Sequence, residues 1–322
     1  GGLVGSEMCI RDSFTNDKAF PLLHRYRDKA PSFNDDIQGT GSVVLAGLLA
    51  AVRYLETNLS NQRIVFFGAG SASVGIADMI CMAMVAEGAL TIEEARKRIW
   101  LVDSRGLVSN RRSGELQAHK QPYARDELTA DSLQEVVAHV QPTVLIGASG
   151  QPRSFSQEVI AEMNRHCDRP VVFALSNPTS KSECTAEEAY HWTAGAAIFA
   201  SGSPFDPVRY KGRIFIPGQG NNMFIFPGVG LGAIASGATR ITDSMFQAAA
   251  TALSQMVTDE ELAAGTLYPD RGKIRQISGA SATAVCRIAW DEGVARYDEP
   301  EDIREYVREC MWHPEYRPYV AV

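Results

Sequence analysis

Ile64-Val65-Phe66-Phe67-Gly68-Ala69-Gly70-Ser71-Ala72-Ser73-Val74-Gly75 reads as a buried strand, a glycine turn and the opening of a helix. That is the context a dinucleotide fingerprint requires. Gly68 would make the tight turn, and Gly70 would let the N–H groups of Ala69, Gly70 and Ser71 come close to a pyrophosphate at the helix N-terminus. The third position of the G-x-G-x-x-G pattern holds Ser73, so the match is partial.

Outward from this stretch, short apolar runs recur, each ending in small or polar residues. They are Ile99-Trp100-Leu101-Val102, Thr143-Val144-Leu145-Ile146, Val171 to Leu175, Ala197 to Ala200 and Ile214-Phe215-Ile216. All read as buried parallel strands. Helical patterns lie between them at 75–87, 91–98, 133–140 and 157–166. Such alternation predicts a doubly wound, Rossmann-like α/β parallel sheet whose ligands sit outside the carboxyl ends of the strands. From Asp243 onward the chain reads helical, with a turn around Tyr268 to Gly272.

With 322 residues, 45% hydrophobic and 21% charged, the chain has the composition of one large or two medium globular domains. A net charge of −7, with no basic run interleaved with aromatics, argues against a nucleic-acid surface. Six scattered cysteines without a Cys-x-x-Cys pair read as reduced thiols in a cytoplasmic setting. The longest apolar stretches, from Val43 and from Met223, are too short to cross a bilayer. Residues 1–13 lack an initiator Met and a signal-peptide n-region, and read as an atypical leader.

Three groups of residues carry potential chemistry. Asp103 ends the second strand, where an acid would take the adenosine ribose hydroxyls. It stands thirty-three residues past Gly70, against about twenty in the usual unit. Its carboxylate favours NAD, while Ser104, Arg105 and Lys120 could receive a 2′-phosphate; on spacing alone Lys120 reads better as a solvated surface lysine. Asn177, Asn221 and Asn222 follow later strands, as ligand amides or as turn formers. Asp35-Asp36 stand before the apolar helix from Val43, where adjacent acids imply either a shared cation or a cap with a solvated neighbour. The six histidines lie away from the strand ends, and no G-x-S-x-G elbow occurs.

Phe33 to Thr40, Gly68 to Ala77, Ala174 to Thr179, Pro217 to Gly232 and Ile234 to Ala238 together resemble the malic enzymes, which oxidatively decarboxylate malate to pyruvate and CO2. The resemblance runs from about Phe14 to the C-terminus. It implies malate as substrate, NAD or NADP as hydride acceptor, a divalent Mg2+ or Mn2+, and a homo-oligomeric full-length protein. By position, Asp36 matches a metal ligand that also borders the cofactor, and Asp35 matches the acid that pairs with the catalytic lysine. Asn177 and Asn221 match malate- and cofactor-contacting asparagines, Asn222 stands beside them, and Asn16 matches an asparagine near the dinucleotide. Ser104 and Lys120 align with serine and lysine of many NADP-using members, which puts NADP level with NAD.

The resemblance also marks departures. The family's catalytic tyrosine and lysine precede the matching region, and its other two metal ligands fall on Asp12 and Ser13, so one carboxylate is missing. The expectation is a polypeptide that binds dinucleotide without turning over malate alone. The expected organisation is a remnant of the substrate domain at 14–35, a dinucleotide-binding domain at 36–220, a helical return to the substrate domain at 221–300 and a tail at 301–322. A non-catalytic dinucleotide-binding module is the alternative. A two-domain amino-acid dehydrogenase is a third reading, one that needs no divalent ion.

Overall fold

The computed structural model describes residues 3–4, 10–11, 16–88, 90–112, 116–126 and 128–313. Its centre is a seven-stranded sheet built from β1 (Ile64–Phe67), β2 (Ile99–Asp103), β3 (Gly106–Leu107), β4 (Val144–Gly147), β5 (Val171–Ala174), β6 (Ile198–Ser201) and β7 (Gly218–Gln219). The spatial order is β7-β6-β5-β4-β1-β2-β3, parallel throughout except for the β2–β3 pair. The order reverses between β1 and β4, which makes their carboxyl ends the switch point where a doubly wound sheet opens a crevice.

Apolar residues fill both faces of the sheet, as the continuous hydrophobic runs demand. Ile64, Phe66, Ile99, Leu101, Ile146 and Phe173 pack into a core with α2 (Thr40–Tyr54), α3 (Ser71–Ala86) and the helices Asp243–Gln255 and Ile274–Asp291. Their neighbours Val65, Val102, Leu145, Val172 and Phe199 face the helices Leu133–Val140, Gln157–His166 and Ala186–Trp192. The expected doubly wound sheet with a helical C-terminal region is present. With its leading turn, α2 forms an apolar helical segment, Asp35–Tyr54, of a length that could cross a bilayer, but it is 78% buried within the fold and serves as a core helix.

One expected strand is corrected. Ile214-Phe215-Ile216 is no buried parallel strand: Arg213–Phe215 pairs antiparallel with Val208–Tyr210 in a separate hairpin, and Ile214 and Ile216 are 49% and 46% exposed. Lys211 and Gly212 both take positive φ (46° and 77°), the backbone twist of a tight hairpin turn. The sheet edge is completed by Gly218–Gln219 alongside β6 instead.

Candidate functional site

The Gly68 loop has the geometry its sequence calls for. Gly68 has φ +118°, and a Cβ there would lie 2.7 Å from the Ala148 carbonyl oxygen, so the loops after β1 and β4 meet only because this residue is glycine. Gly70 is the N-cap of α3 with no side chain capping it, it is exposed, and a Cβ there meets nothing within 4 Å. The first turn of α3, whose opening N–H groups have no intrahelical partner, thus starts beside an open position at the switch point. Ala69 and Ser73 are buried beneath the turn.

At the end of β2, Asp103 is held from several sides. Its Oδ1 accepts from Arg112 Nη1 (2.8 Å) and from the Arg105 N–H (2.9 Å), and its Oδ2 accepts from Lys120 Nζ (3.0 Å). The three side chains are only 11–14% exposed. Burial by itself would raise the Asp103 carboxyl, but these bonds from Arg105, Lys120 and Arg112 outweigh it and hold the carboxyl below its usual 3.8. Lys120 is thus a partner of Asp103 rather than a solvated lysine. Two cations on one carboxylate leave the locus with a net positive charge. Arg112 was not singled out by sequence reading, because its nine-residue offset from Asp103 has no periodic meaning until the β2–β3 turn folds it back. Ser104 is exposed beside it.

The acid pair lies in a π-helical turn, Asp35–Gly39, that runs directly into α2. Neither acid is the cap: Asn34 Oδ1 accepts from the Ile37 N–H at 2.9 Å, and both carboxylates sit in the first turn, where the helix dipole favours negative charge. Asp36 is exposed. Asp35 is folded over Gly39, where an added Cβ would fall 2.0 Å from Asp35 Oδ1.

A cavity of about 370 Å³ brings Asp35, Asp36, Asn177, Asn221 and Asn222 together with Thr40. Their roles there differ. Asn222 Nδ2 donates to the Asp35 carbonyl (3.0 Å) and to Thr40 Oγ1 (3.1 Å), so it latches the acid turn to the segment after β7. Asn221 Oδ1 accepts from the Met223 N–H (3.0 Å), and Asn177 Oδ1 accepts from Ser203 Oγ (2.6 Å). With their oxygens taken, Asn177 and Asn221 keep amide N–H groups to offer an acceptor such as a carboxylate or a carboxamide oxygen.

The acid turn is braced from below by residues sequence reading missed. Buried Gln38 accepts from the Asn34 N–H (3.0 Å) and donates to Asp243 Oδ1 (2.9 Å), while Arg27 holds Asp243 Oδ2 (3.0 Å). Tyr268, read as part of a turn, is buried and donates to the Val43 carbonyl (3.0 Å). Its ring stacks on Phe224 at 6.1 Å, between α2 and the Asn221 segment. Asp243 and Tyr268 stand more than 200 residues beyond the acid turn, and no local pattern announces them.

Among the described residues, no group of three or more His, Cys, Asp or Glu is placed to hold a metal ion. Asp36 and Asp35 alone do not supply the donor set of a divalent cation, which takes six or more oxygens. Asp12 lies outside the described residues. Asn16 opens α1 (Asn16–Tyr26), and its side chain is not among those described.

Residues 37–290 match the family model "Malic enzyme, NAD binding domain". An NADP-dependent malic enzyme of Dictyostelium discoideum is 50% identical over 95% of this chain and 56% of its own length, and one of Vitis vinifera is 48% identical over 98% and 54%. The chain thus spans about half the length of the curated relatives it matches. Among solved structures, the malic enzymes of Entamoeba histolytica and Pyrococcus horikoshii superpose with TM-scores of 0.73 and 0.71, each at 26% identity. Both cover 91% of this chain, and 57% and 63% of the respective structures. The fold accords with these matches: the chain belongs to the malic enzyme family and carries its dinucleotide-binding part.

Proposed function

We propose that this chain binds NADP in preference to NAD and forms the dinucleotide half of an enzyme that oxidises and decarboxylates malate. The observation that carries the coenzyme choice is the Asp103 locus. A lone carboxylate there would repel a 2′-phosphate, but Arg112 and Lys120 turn the charge positive. The names of the relatives agree with this choice. In this reading the pyrophosphate lies on the N-terminus of α3, with Gly68, Ala69, Gly70 and Ser71 around it. Residues 36–220 form the dinucleotide domain, flanked by remnants of a substrate domain.

The cavity supplies the substrate side. Asn177 and Asn221 donate to carboxylate or carboxamide oxygens and so orient C2 of malate toward the nicotinamide, in line with hydride transfer. Asp35 would hold a cationic acid–base group brought by the rest of the protein, and Asn222 fixes Asp35 through its carbonyl. Asp36 would contribute one oxygen to a Mg2+ or Mn2+ site whose remaining ligands lie outside the described residues. We assign the whole protein to a homo-oligomer on the family resemblance and to the cytoplasm on the thiols of Cys81, Cys167, Cys184, Cys286 and Cys310, which form no disulfides. The alternative is a dinucleotide-binding module without chemistry.

Gly70→Asp tests the site. The position has φ −79° and free space for a side chain, and aspartate is a good N-cap, so the fold is expected to stand unchanged. A carboxylate in place of the pyrophosphate is expected to abolish dinucleotide binding in calorimetry; unchanged affinity would remove the proposed site. Joining the preceding half of a relative to this chain and assaying malate-dependent NADPH formation separates enzyme from module, and persistent inactivity favours the module.

A further inference from the structure

Glu183 is fully buried and has no part in the roles assigned so far. Its carboxylate lies under the ends of β4 and β5. Oε1 accepts from the Ser149 N–H (3.2 Å) and from Ser176 Oγ (2.5 Å), and Oε2 accepts from the Ser176 N–H (3.3 Å). Ser176 Oγ in turn accepts from the Gly150 N–H (2.9 Å), and the Glu183 carbonyl accepts from the Phe155 N–H (3.0 Å). One side chain therefore ties the loop after β4 to the loop after β5. Gly147, the last residue of β4, makes room for it: a Cβ there would lie 2.4 Å from Glu183 Cδ.

Among the described residues, no cationic side chain lies within ion-pair distance of this carboxylate. A buried acid held by hydrogen bonds alone is costly, and an apolar side chain of equal volume would serve stability as well or better. Its placement points to the ligand instead. In a doubly wound sheet the adenosine half of a dinucleotide lies over the β1–β2 side, where Asp103 stands, so the nicotinamide half falls to the β4–β5 side of the switch point. The two loops Glu183 joins are on that side, and Asn177 directly follows Ser176 in the second.

We propose that Glu183 is a positioning residue for the nicotinamide end of the dinucleotide: by locking Ser149 and Ser176 to one carboxylate it fixes the two loops, and with them the Asn177 amide, against the reactive ring. This rests on the dinucleotide reading above. Such a residue affects the two halves of the ligand unequally, whereas a merely structural one affects them alike.

Calorimetric titration of the chain and of its Glu183→Gln variant, with NADP and with 2′,5′-ADP, and in parallel with NAD and ADP, separates the cases. In Glu183→Gln an amide N–H₂ faces an N–H donor. The affinity for the whole dinucleotide is expected to fall about tenfold, while the fragment that lacks nicotinamide changes by no more than about twofold. Equal losses for dinucleotide and fragment, or no loss, overturn the proposal. Should circular dichroism show Glu183→Gln unfolded, Ser176→Ala, which removes the 2.5 Å bond and keeps the carboxylate, must show the same selective loss, and a uniform loss or none overturns it. A parent chain that binds none of the four ligands overturns the dinucleotide reading along with the proposal. Binding by the parent with unselective variants overturns this proposal alone.

Discussion

Lys120→Gln puts the coenzyme assignment at risk in one substitution. Lys120 Nζ lies 3.0 Å from Asp103 Oδ2 with 14% of its side chain exposed, so it is already ordered and partly desolvated before any ligand arrives. Glutamine is one atom shorter than lysine, but Asp103 retains Arg112 and the Arg105 N–H as partners, so the carboxylate is not orphaned. What the substitution removes is one positive charge, taking the locus of Arg112, Lys120 and Asp103 from net positive to neutral. A hydrogen bond from a charged donor contributes about 1.5–3 kcal/mol, and a central 2 kcal/mol is about 30-fold in Kd. NADP affinity is therefore expected to fall about 30-fold, and NAD affinity, with no 2′-phosphate to lose, by less than about threefold. Calorimetric titration with both coenzymes at one fixed salt concentration reads this directly, since surface charge effects vary with ionic strength. Parallel losses for NADP and NAD would refute the reasoning and take Lys120 out of the 2′-phosphate pocket.

Two further substitutions test the frame around the site. Burial raises the Asp78 carboxyl above 3.8 in spite of the hydrogen bond it receives from Tyr123 (2.6 Å), so its ionised form weakens the fold at neutral pH and that penalty is relieved as the pH falls through its raised value. Asp78→Asn is thus expected to stabilise the chain at pH 7, with an advantage that shrinks toward pH 4 in urea unfolding; a pH-independent effect would count against it. Gly47→Ala, in the middle of α2, would place a Cβ 2.4 Å from Tyr268 Oη. Overpacking of about 1–3 kcal/mol exceeds the helix-propensity gain of about 1 kcal/mol, so a lower Tm in calorimetric scans is expected, and an unchanged Tm would show that Tyr268 moves freely.

The legible part of the site follows from local physics. Gly68 and Gly70 could be assigned from sequence because a strand, a tight turn and a helix start within twelve residues constrain one another, and only glycine tolerates φ +118° against the Ala148 carbonyl. The strands of the sheet were legible for the same reason: burial on both faces writes itself as a continuous apolar run. That cue misplaced Ile214 to Ile216, since three apolar residues do not distinguish a buried strand from an exposed hairpin arm, and the Lys211-Gly212 turn decided it. Asp35-Asp36 were legible as an acid turn ahead of α2, but not in how that turn is held. Asn34 took the cap, and Asn222, 187 residues along from Asp35, became the latch.

The sequence by itself determined the alternation of strands and helices, the glycine turn at the head of α3 and the row of small and amide residues at the strand ends. Each is a property of neighbouring residues and survives in a local window. Only the tertiary structure decided the charge of the Asp103 locus, the contacts of Gln38 and Tyr268 beneath the acid turn and the burial of Glu183 under two loops. These depend on groups distant in the chain whose approach is set by the sheet order and the helix packing. Their energies come from desolvation and hydrogen-bond geometry, which exist only once the chain has closed around them.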